Sequence, residues 1–289
     1  MLNSPNSKVK FLQSTMFNME TNDPFSPSIN SLPDELLLRI IQNTACERAG
    51  YFGQKRLVNH RYLIDVISKI SKRFKNIAGD NVFWKNEVSI SLDEELDREM
   101  KRVVDCMGQN VQKLQFYDPQ KFIHSYTTST DISISSGEII ALAKKATDLR
   151  RLELCGLKLV SWPMLPSTWS LEDLVLRDVN IPWDMFQNVA IHHCLPNLKT
   201  LKMIRCMDDS GTPIMLPDMS GCQQLEEVRI TGMDNDAGYR FSTNLPFPKG
   251  IKKLVFLNVI FDGISSDEFD QRVKGPIEKF ARNCKVESF

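Results

Sequence analysis

The sequence lacks the features that mark membrane, secreted and strongly charged proteins. No apolar run approaches the length of a transmembrane helix, and the N-terminus lacks the charged-then-apolar pattern of a signal peptide. Because 36 basic and 36 acidic side chains give a formal net charge of zero, overall charge predicts no attraction to nucleic acid or to a membrane. The seven cysteines are odd in number and form no C-x-x-C pair. This argues against a disulfide framework or zinc knuckle and favours a reducing compartment, cytoplasmic or nuclear.

What is present is the composition of a folded protein, with 42% hydrophobic and 25% charged residues. Residues 31–84 open with Leu32-Pro33 and an acidic pair, a pattern that suits the first turn of a helix. Apolar residues then follow at helical spacing: Leu36, Leu37, Ile40 and Ile41. A second helix is predicted over about residues 62–77 and carries further apolar residues. So small a segment cannot bury all of this surface by itself, and we expect part of it to meet a partner.

This stretch resembles an F-box. The family pattern is matched by Leu32-Pro33, Glu35-Leu36-Leu37, Ile40-Ile41, Ile70, Lys72-Arg73-Phe74 and Phe83-Trp84. In two departures from it, Thr44 stands where the family has an apolar residue, and an insertion from Cys46 to Arg61 replaces a short turn. The resemblance implies docking on a Skp-type adaptor, and through it on a cullin. The residues that would make that contact are Leu32, Pro33, Leu36, Leu37, Ile40, Ile41, Ile70, Phe74 and Trp84.

One apolar pattern, L-x-x-L-x-L with substitutions, recurs in the rest of the chain. Its six units start at Val111, Leu149, Leu171, Leu198, Leu225 and Ile251. Successive starts lie 38, 22, 27, 27 and 26 residues apart. Four of these spacings fall within the roughly 20 to 29 residues of leucine-rich repeats, in which stacked units bury a shared core. In the first gap, Ser135 and Ser136 are placed to cap a helix that starts at Gly137.

Alternation along the six predicted strands turns three residues of each away from the core. The first outward column is Lys113, Arg151, Asp173, Thr200, Glu227 and Lys253. The second is Gln115, Glu153, Val175, Lys202, Arg229 and Val255, and the third is Tyr117, Cys155, Arg177, Ile204, Thr231 and Leu257.

These columns should line a concave face with mixed charges around an apolar centre, which suits recognition of a protein segment. The predicted substrate-binding residues are Tyr117, Arg151, Glu153, Asp173, Val175, Arg177, Lys202, Ile204, Glu227 and Arg229. An ordinary solvated sheet face is the alternative.

A catalytic set is not evident. Phosphate-binding glycine loops, nucleophile elbows and zinc-hydrolase helices are all missing from the sequence. The one cluster of chemical interest is His192, His193 and Cys194. Adjacent helical residues point about 100° apart, so the two histidines would not share a face. We therefore predict no catalytic residue, no metal and no cofactor, and keep an enzyme that uses this triplet as an alternative.

The predicted organisation is α/β, with a small all-α F-box module followed by an irregular leucine-rich-repeat solenoid with a parallel sheet. Residues 1–28 are expected to be a disordered leader, 29–90 the F-box-like module, 91–262 the repeats and 263–289 a C-terminal helical cap. Resemblance to F-box proteins with leucine-rich repeats implies a non-catalytic substrate receptor of an SCF-type ubiquitin ligase. A repeat scaffold that binds protein outside any ligase is the alternative.

Overall fold

The computed structural model describes residues 31–47, 57–58, 63–84, 86–91, 103–105, 107, 110–118, 132–160, 169–181, 195–207, 214–215, 219, 221–232, 239–240, 247–248, 250–259, 266–269, 271, 274–275 and 285–288. The predicted leader, residues 1–28, lies outside this set. The chain divides into two compact units, Met1–Ala78 and Gly79–Phe289. Among the described residues, no helix is long and apolar enough to cross a bilayer.

The first unit is helical. Its elements are α1 (Asp34–Ala45), the antiparallel pair β1 (Cys46–Glu47) and β2 (Leu57–Val58), a π-helical turn (Leu63–Ile67), α2 (Ser68–Ile70) and α3 (Lys72–Ala78). Helix α1 begins where the sequence predicts, because the amides of Leu36 and Leu37 both donate to the Pro33 carbonyl at 3.1 Å. Two acidic residues occupy its first turn, where they favour the positive helix end. The β1–β2 pair joins the two ends of the predicted insertion.

The core of the first unit is apolar and draws on α1, the π-helical turn and α3, whereas α2 buries no side chain. Its buried members are Leu37, Ile41, Leu63, Ile64, Ile67, Phe74, Ile77 and Ala78. The predicted single helix over residues 62–77 is wrong at Ser71, whose backbone is extended (φ −163°, ψ 170°) and separates α2 from α3. The Ser71 hydroxyl accepts a hydrogen bond from the Phe74 amide at 3.3 Å. Serine therefore starts a new helix here, because its side chain satisfies an amide of the first turn of α3.

The second unit is α/β and is built on a parallel sheet. Its elements are α4 (Asn81–Trp84), β3 (Asn86–Ser91), β4 (Val111–Tyr117), β5 (Ser133–Ile134), α5 (Ser136–Lys145), β6 (Arg151–Cys155), β7 (Lys158–Leu159), β8 (Asp173–Arg177), β9 (Thr200–Ile204), β10 (Ile214–Met215), β11 (Glu227–Thr231), β12 (Tyr239–Arg240), β13 (Lys253–Leu257), α6 (Ser266–Phe269) and β14 (Lys285–Ser288). Eight strands form one sheet in the order β3-β4-β6-β8-β9-β11-β13-β14, and every neighbouring pair is parallel. This confirms the predicted α/β class and the parallel sheet.

The six predicted units supply the six central strands, and one face of the sheet carries the core. The buried apolar residues of the units are Val111, Leu114, Phe116, Leu149, Leu152, Leu154, Leu171, Leu174, Leu176, Leu198, Leu201, Met203, Leu225, Val228, Ile230, Ile251, Leu254 and Phe256. A strand of one unit buries these side chains only when a neighbouring unit covers its edge, which is why one strand per unit extends the same sheet.

Both ends of the sheet differ from the expectation. Strand β3 adds to β4, although residues 86–90 were assigned to the helical module. Strand β14 adds to β13 within residues 263–289, which were expected to form a helical cap. Both end strands pair their backbone groups with the neighbouring repeat strand, which supplies hydrogen bonds that a helix at the sheet end would leave unmade.

Four of the central strands, β6, β8, β9 and β11, are followed by the same backbone hydrogen bond. The amides of Gly156, Asp178, Arg205 and Gly232 each donate to the carbonyl of the last residue of the next strand, at 2.7 to 2.9 Å. The backbone is left-handed at Gly156 (φ 69°) and at Asp178, Arg205 and Asn258 (φ 51° each). These repeated turns hold the strands in one register and thereby fix which side chains share a row.

Helix α5 begins with the capping arrangement that its serines suggested. The Ser135 hydroxyl accepts from the Glu138 amide at 3.4 Å, and the Glu138 carboxylate accepts from the Ser135 amide at 2.6 Å. This capping box satisfies two amides at the helix start.

Candidate functional site

The nine residues expected to dock an adaptor divide into exposed and buried sets. Leu36, Ile40 and Ile70 are 45%, 40% and 41% exposed, Pro33 is exposed and Leu32 is half-buried. Leu36 and Ile40 are four residues apart on α1, so they share one helical face. The other four, Leu37, Ile41, Phe74 and Trp84, are buried. For these four the structure corrects the expectation: they support the fold and offer no surface for a docking contact, and Trp84 lies in the second unit.

Arg73 holds the Leu-Pro start of the first unit. Its Nη2 lies 2.6 Å from Asp34 Oδ1, and its Nε donates to the same oxygen at 2.7 Å. Nη2 also donates to the Leu32 carbonyl at 2.5 Å. A planar guanidinium that reaches both groups fixes the chain just before α1 against α3.

The alignment of the predicted columns is confirmed by the strand register. Strand pairing aligns Lys113, Arg151, Asp173, Thr200, Glu227 and Lys253, and it aligns the second and third columns in the same way. The end strands extend the first column by Glu87 and Lys285 and the second by Ser89 and Glu287. We call this surface the open face. Of the ten predicted substrate-binding residues, only Val175 is buried, at 2% exposure, so it provides no apolar centre for a ligand.

On the open face, the carboxylate of Glu153 forms ion pairs with two arginines. Glu153 Oε2 lies 3.2 Å from Arg151 Nη2 on the same strand, and Glu153 Oε1 lies 3.6 Å from Arg177 Nε on the next strand. Cys155 Sγ is also 3.6 Å from Glu153 Oε1 and from Gln115 Nε2, and Ser89 Oγ donates to Gln115 Oε1 at 2.9 Å. The predicted residues Arg151, Glu153 and Arg177 thus form one polar cluster whose charges compensate each other in part.

Two buried thiols on these strands are poor nucleophiles. Burial raises the pKa of Cys155 from 9.0 to about 11, against the lowering effect of Gln115. Burial raises the pKa of Cys206 to about 12, and its Sγ donates to the Leu176 carbonyl at 3.4 Å. Both thiols are therefore protonated near neutral pH, and nucleophilic chemistry requires the thiolate.

A second row of charges, which the sequence reasoning did not identify, lies at the start of the strands. Glu172 Oε2 is 3.0 Å from Lys199 Nζ and Glu172 Oε1 is 4.0 Å from Arg150 Nη1, while Glu226 Oε1 is 2.6 Å from Lys252 Nζ. We call these five residues the strand-start row. Because each follows the first apolar residue of its unit, the alternating sign was visible in the sequence. Exposed pairs of this kind contribute little stability, and the two carboxylates of the row are each paired with a cation.

The triplet of His192, His193 and Cys194 lies outside the described residues. Within the described part, no group of three or more His, Cys, Asp or Glu side chains is placed to hold a metal ion. The described residues thus present two surfaces: exposed apolar side chains on the first unit and a charged open face on the second.

Comparison with known proteins agrees with the motifs. A protein of Arabidopsis thaliana described as an F-box/FBD/LRR-repeat protein is 23% identical over 268 residues. The chain is similar to an F-box protein with leucine-rich repeats. The similarity confirms the resemblance seen in the sequence, and it covers 90% of this chain. The chain spans only 57% of the length of that relative. No protein-family profile matches the chain.

Proposed function

We propose that the chain is a substrate-recognition adaptor of an SCF-type cullin–RING ubiquitin ligase. Its first unit would be an F-box module that docks a Skp-type adaptor, and its second unit a leucine-rich-repeat solenoid that binds the protein substrate. Such a receptor needs no active site of its own, because it raises the effective concentration of substrate lysines near a charged conjugating enzyme. It would work in the cytosol or the nucleus.

The observation that carries the proposal is the exposure of three apolar side chains of the first unit, Leu36, Ile40 and Ile70, which we call the docking patch. Large apolar side chains left exposed on a small helical unit favour association with another protein. The clamp from Arg73 to Leu32 and Asp34 supports it, because it fixes the Leu-Pro segment next to α1. The description of the relative, an F-box/FBD/LRR-repeat protein, includes both of the parts proposed here.

Co-purification with a Skp-type adaptor tests the docking half. We expect the intact chain to capture the adaptor, and a variant with Leu36→Ala, Ile40→Ala and Ile70→Ala to lose most of this capture while its thermal unfolding stays close to wild type. Leu32→Ala with Pro33→Ala should weaken capture as well. Val160→Ala is a matched control, since Val160 is an exposed apolar residue of the second unit at 51% exposure. A folded wild-type chain that captures no adaptor would exclude the ligase role.

The second candidate is a repeat scaffold that binds protein outside any ligase. One observation favours it: the β1–β2 pair follows α1 directly, where the F-box family has only a short turn. The same co-purification separates the two candidates. Deletion of residues 48–56 with a short glycine linker would show whether the insertion hinders docking, since an increase in adaptor capture is expected if it does.

A further inference from the structure

Two cations stand side by side on the open face. Lys202 on β9 and Arg229 on β11 are register partners, so their Cα atoms are separated by one strand spacing of about 5 Å. Like charges placed directly opposite each other in a sheet are destabilising. Within the described part of the chain, neither side chain takes part in an ion pair. We call this pair the cation pair.

Several other charges on or beside these strands are paired. The strand-start row pairs Lys199 with Glu172 and Lys252 with Glu226, and the Glu153 cluster holds both Arg151 and Arg177. At the strand ends, Arg205 Nη2 lies 2.6 Å from Asp178 Oδ2. The cation pair therefore differs from the strand-start row and from the Glu153 cluster, in which every carboxylate contacts a cation.

A carboxylate is available to the cation pair and is not used. Glu227 precedes Arg229 by two residues, the same separation at which Glu153 and Arg151 pair at 3.2 Å on β6. Glu227 and Arg229 make no such contact. The Nε of Arg229 and the Oγ1 of Thr231 are moreover buried without a hydrogen-bond partner. Unpaired buried donors of this kind cost free energy, so the sheet does not itself satisfy the guanidinium of Arg229.

We propose that the cation pair seats an acidic side chain of the bound protein segment; this rests on the proposed function, in which the open face holds the substrate. The acidic group is a carboxylate or a phosphoryl group, both of which accept charge-assisted hydrogen bonds from lysine and arginine. Asp173 and Glu227 lie in the adjoining column, where no ion pair neutralises them. These two carboxylates favour a protein segment that carries a basic residue close to the acidic one, and they disfavour a continuous polyanion such as a nucleic acid.

Retention of peptide libraries by the intact chain tests the proposal. Three short synthetic libraries differ only in a fixed central residue, which is glutamate, phosphoserine or glutamine. We expect the immobilised chain to retain the glutamate or the phosphoserine library over the glutamine library, and rising salt to reduce the difference. Comparison of the first two libraries distinguishes a carboxylate from a phosphoryl ligand. Lys202→Gln and Arg229→Gln should each weaken retention by about tenfold, the change expected when a charge-assisted hydrogen bond is lost.

The matched control is Lys113→Gln, which removes an exposed cation from β4 on the same face. Strand β4 is two strands away from β8, which carries Asp173. The Lys113→Gln control should leave retention unchanged. The charge-reversed variant with Lys202→Glu and Arg229→Glu should instead prefer a library with a central lysine. Three outcomes would overturn the proposal. The chain could retain all three libraries equally, or the Lys113→Gln control could lose as much retention as the other variants. The chain could also retain a single-stranded oligonucleotide more strongly than acidic peptides. Adaptor capture by the wild-type chain reports on the first unit. Peptide retention without adaptor capture would therefore show that the ligase role fails while the ligand preference of the open face stands.

Discussion

Arg73 and Asp34 are 39 residues apart in sequence, and Arg73 Nη2 lies 2.6 Å from Asp34 Oδ1. The same guanidinium reaches the Leu32 carbonyl, so it connects α3 to both sides of Pro33. The Leu-Pro and Lys-Arg-Phe motifs of the sequence are thereby parts of one contact. Arg73 of the Lys-Arg-Phe motif holds the Leu-Pro motif in place.

Replacing Arg73 by alanine should loosen this contact. The change removes hydrogen bonds to a carboxylate and a carbonyl, but the Arg73 side chain is 34% exposed and part of their strength is screened by solvent. We expect the free energy of unfolding of the first unit to fall by about 1 to 2 kcal/mol. Urea denaturation followed by circular dichroism measures the change. Lys72→Ala is the control, since Lys72 is an exposed neighbour, and an equal loss in both variants would contradict the assigned role.

Leu36 and Leu37 are adjacent on α1 and should respond in opposite ways. Leu37 is fully buried, so Leu37→Ala should destabilise the first unit by about 2 to 5 kcal/mol through lost burial and a cavity. Leu36 is 45% exposed, so Leu36→Ala should change stability by no more than about 0.5 kcal/mol. Thermal unfolding of both variants measures this difference. Similar losses in the two would mean that Leu36 is a core residue and not part of the docking patch.

Local chemistry and periodicity predicted much of this structure. The start of α1 after Pro33 and the cap of α5 by Ser135 depend on neighbours in sequence, so they could be recognised directly. The six central strands and their outward columns followed from repeated spacing, because a fixed unit length gives a fixed register. The boundary at Ser71 was missed because serine is compatible with a continuing helix as well as with a cap.

The remaining features depend on contacts between distant residues. The four-residue strand β14 has no repeat pattern, and its place beside β13 follows from an edge that the preceding chain leaves open. Val175 is buried on the open face, where its register neighbours on the adjacent strands are the long residues Glu153 and Lys202. Alternation along a strand predicted on which face a side chain lies, but it did not predict how far that side chain is exposed to solvent.

Gly232 should not tolerate a side chain. A Cβ added there would lie 2.0 Å from the Asn258 carbonyl oxygen, and both backbones belong to the repeated turns at the strand ends. Gly232→Ala should therefore cost more than about 2 kcal/mol, because the strands must separate or the turn must change. Chemical denaturation of the intact chain measures the cost.

Gly137→Ala is the matched control for that substitution. The nearest atom to an added Cβ is Ser135 Oγ at 3.8 Å, an ordinary contact, and Gly137 lies in helix α5. Alanine should here stabilise the protein by up to about 1 kcal/mol. A Gly232→Ala variant as stable as Gly137→Ala would show that the turn at Gly232 is free to adjust.

Cys206 should make stability depend on alkaline pH. Its folded pKa of about 12 exceeds the ordinary value of 9.0 because burial disfavours the thiolate. The folded state thus holds the thiol proton more tightly than the unfolded state. The stability that comes from this proton is fully present below about pH 9 and is lost as pH rises towards the folded pKa. Cys206→Ala removes the titrating group and with it this dependence.

The measurement is the difference in unfolding free energy between wild type and Cys206→Ala, from urea titrations on both sides of pH 9. We expect a constant difference at lower pH and a shrinking one as the pH rises, since only the wild type must give up its buried neutral thiol. Leu201→Ala replaces a buried residue on β9 that does not titrate, so its difference from wild type should not vary with pH. If the Cys206→Ala difference stayed constant or grew with pH, the thiol would not be held in its neutral form by burial.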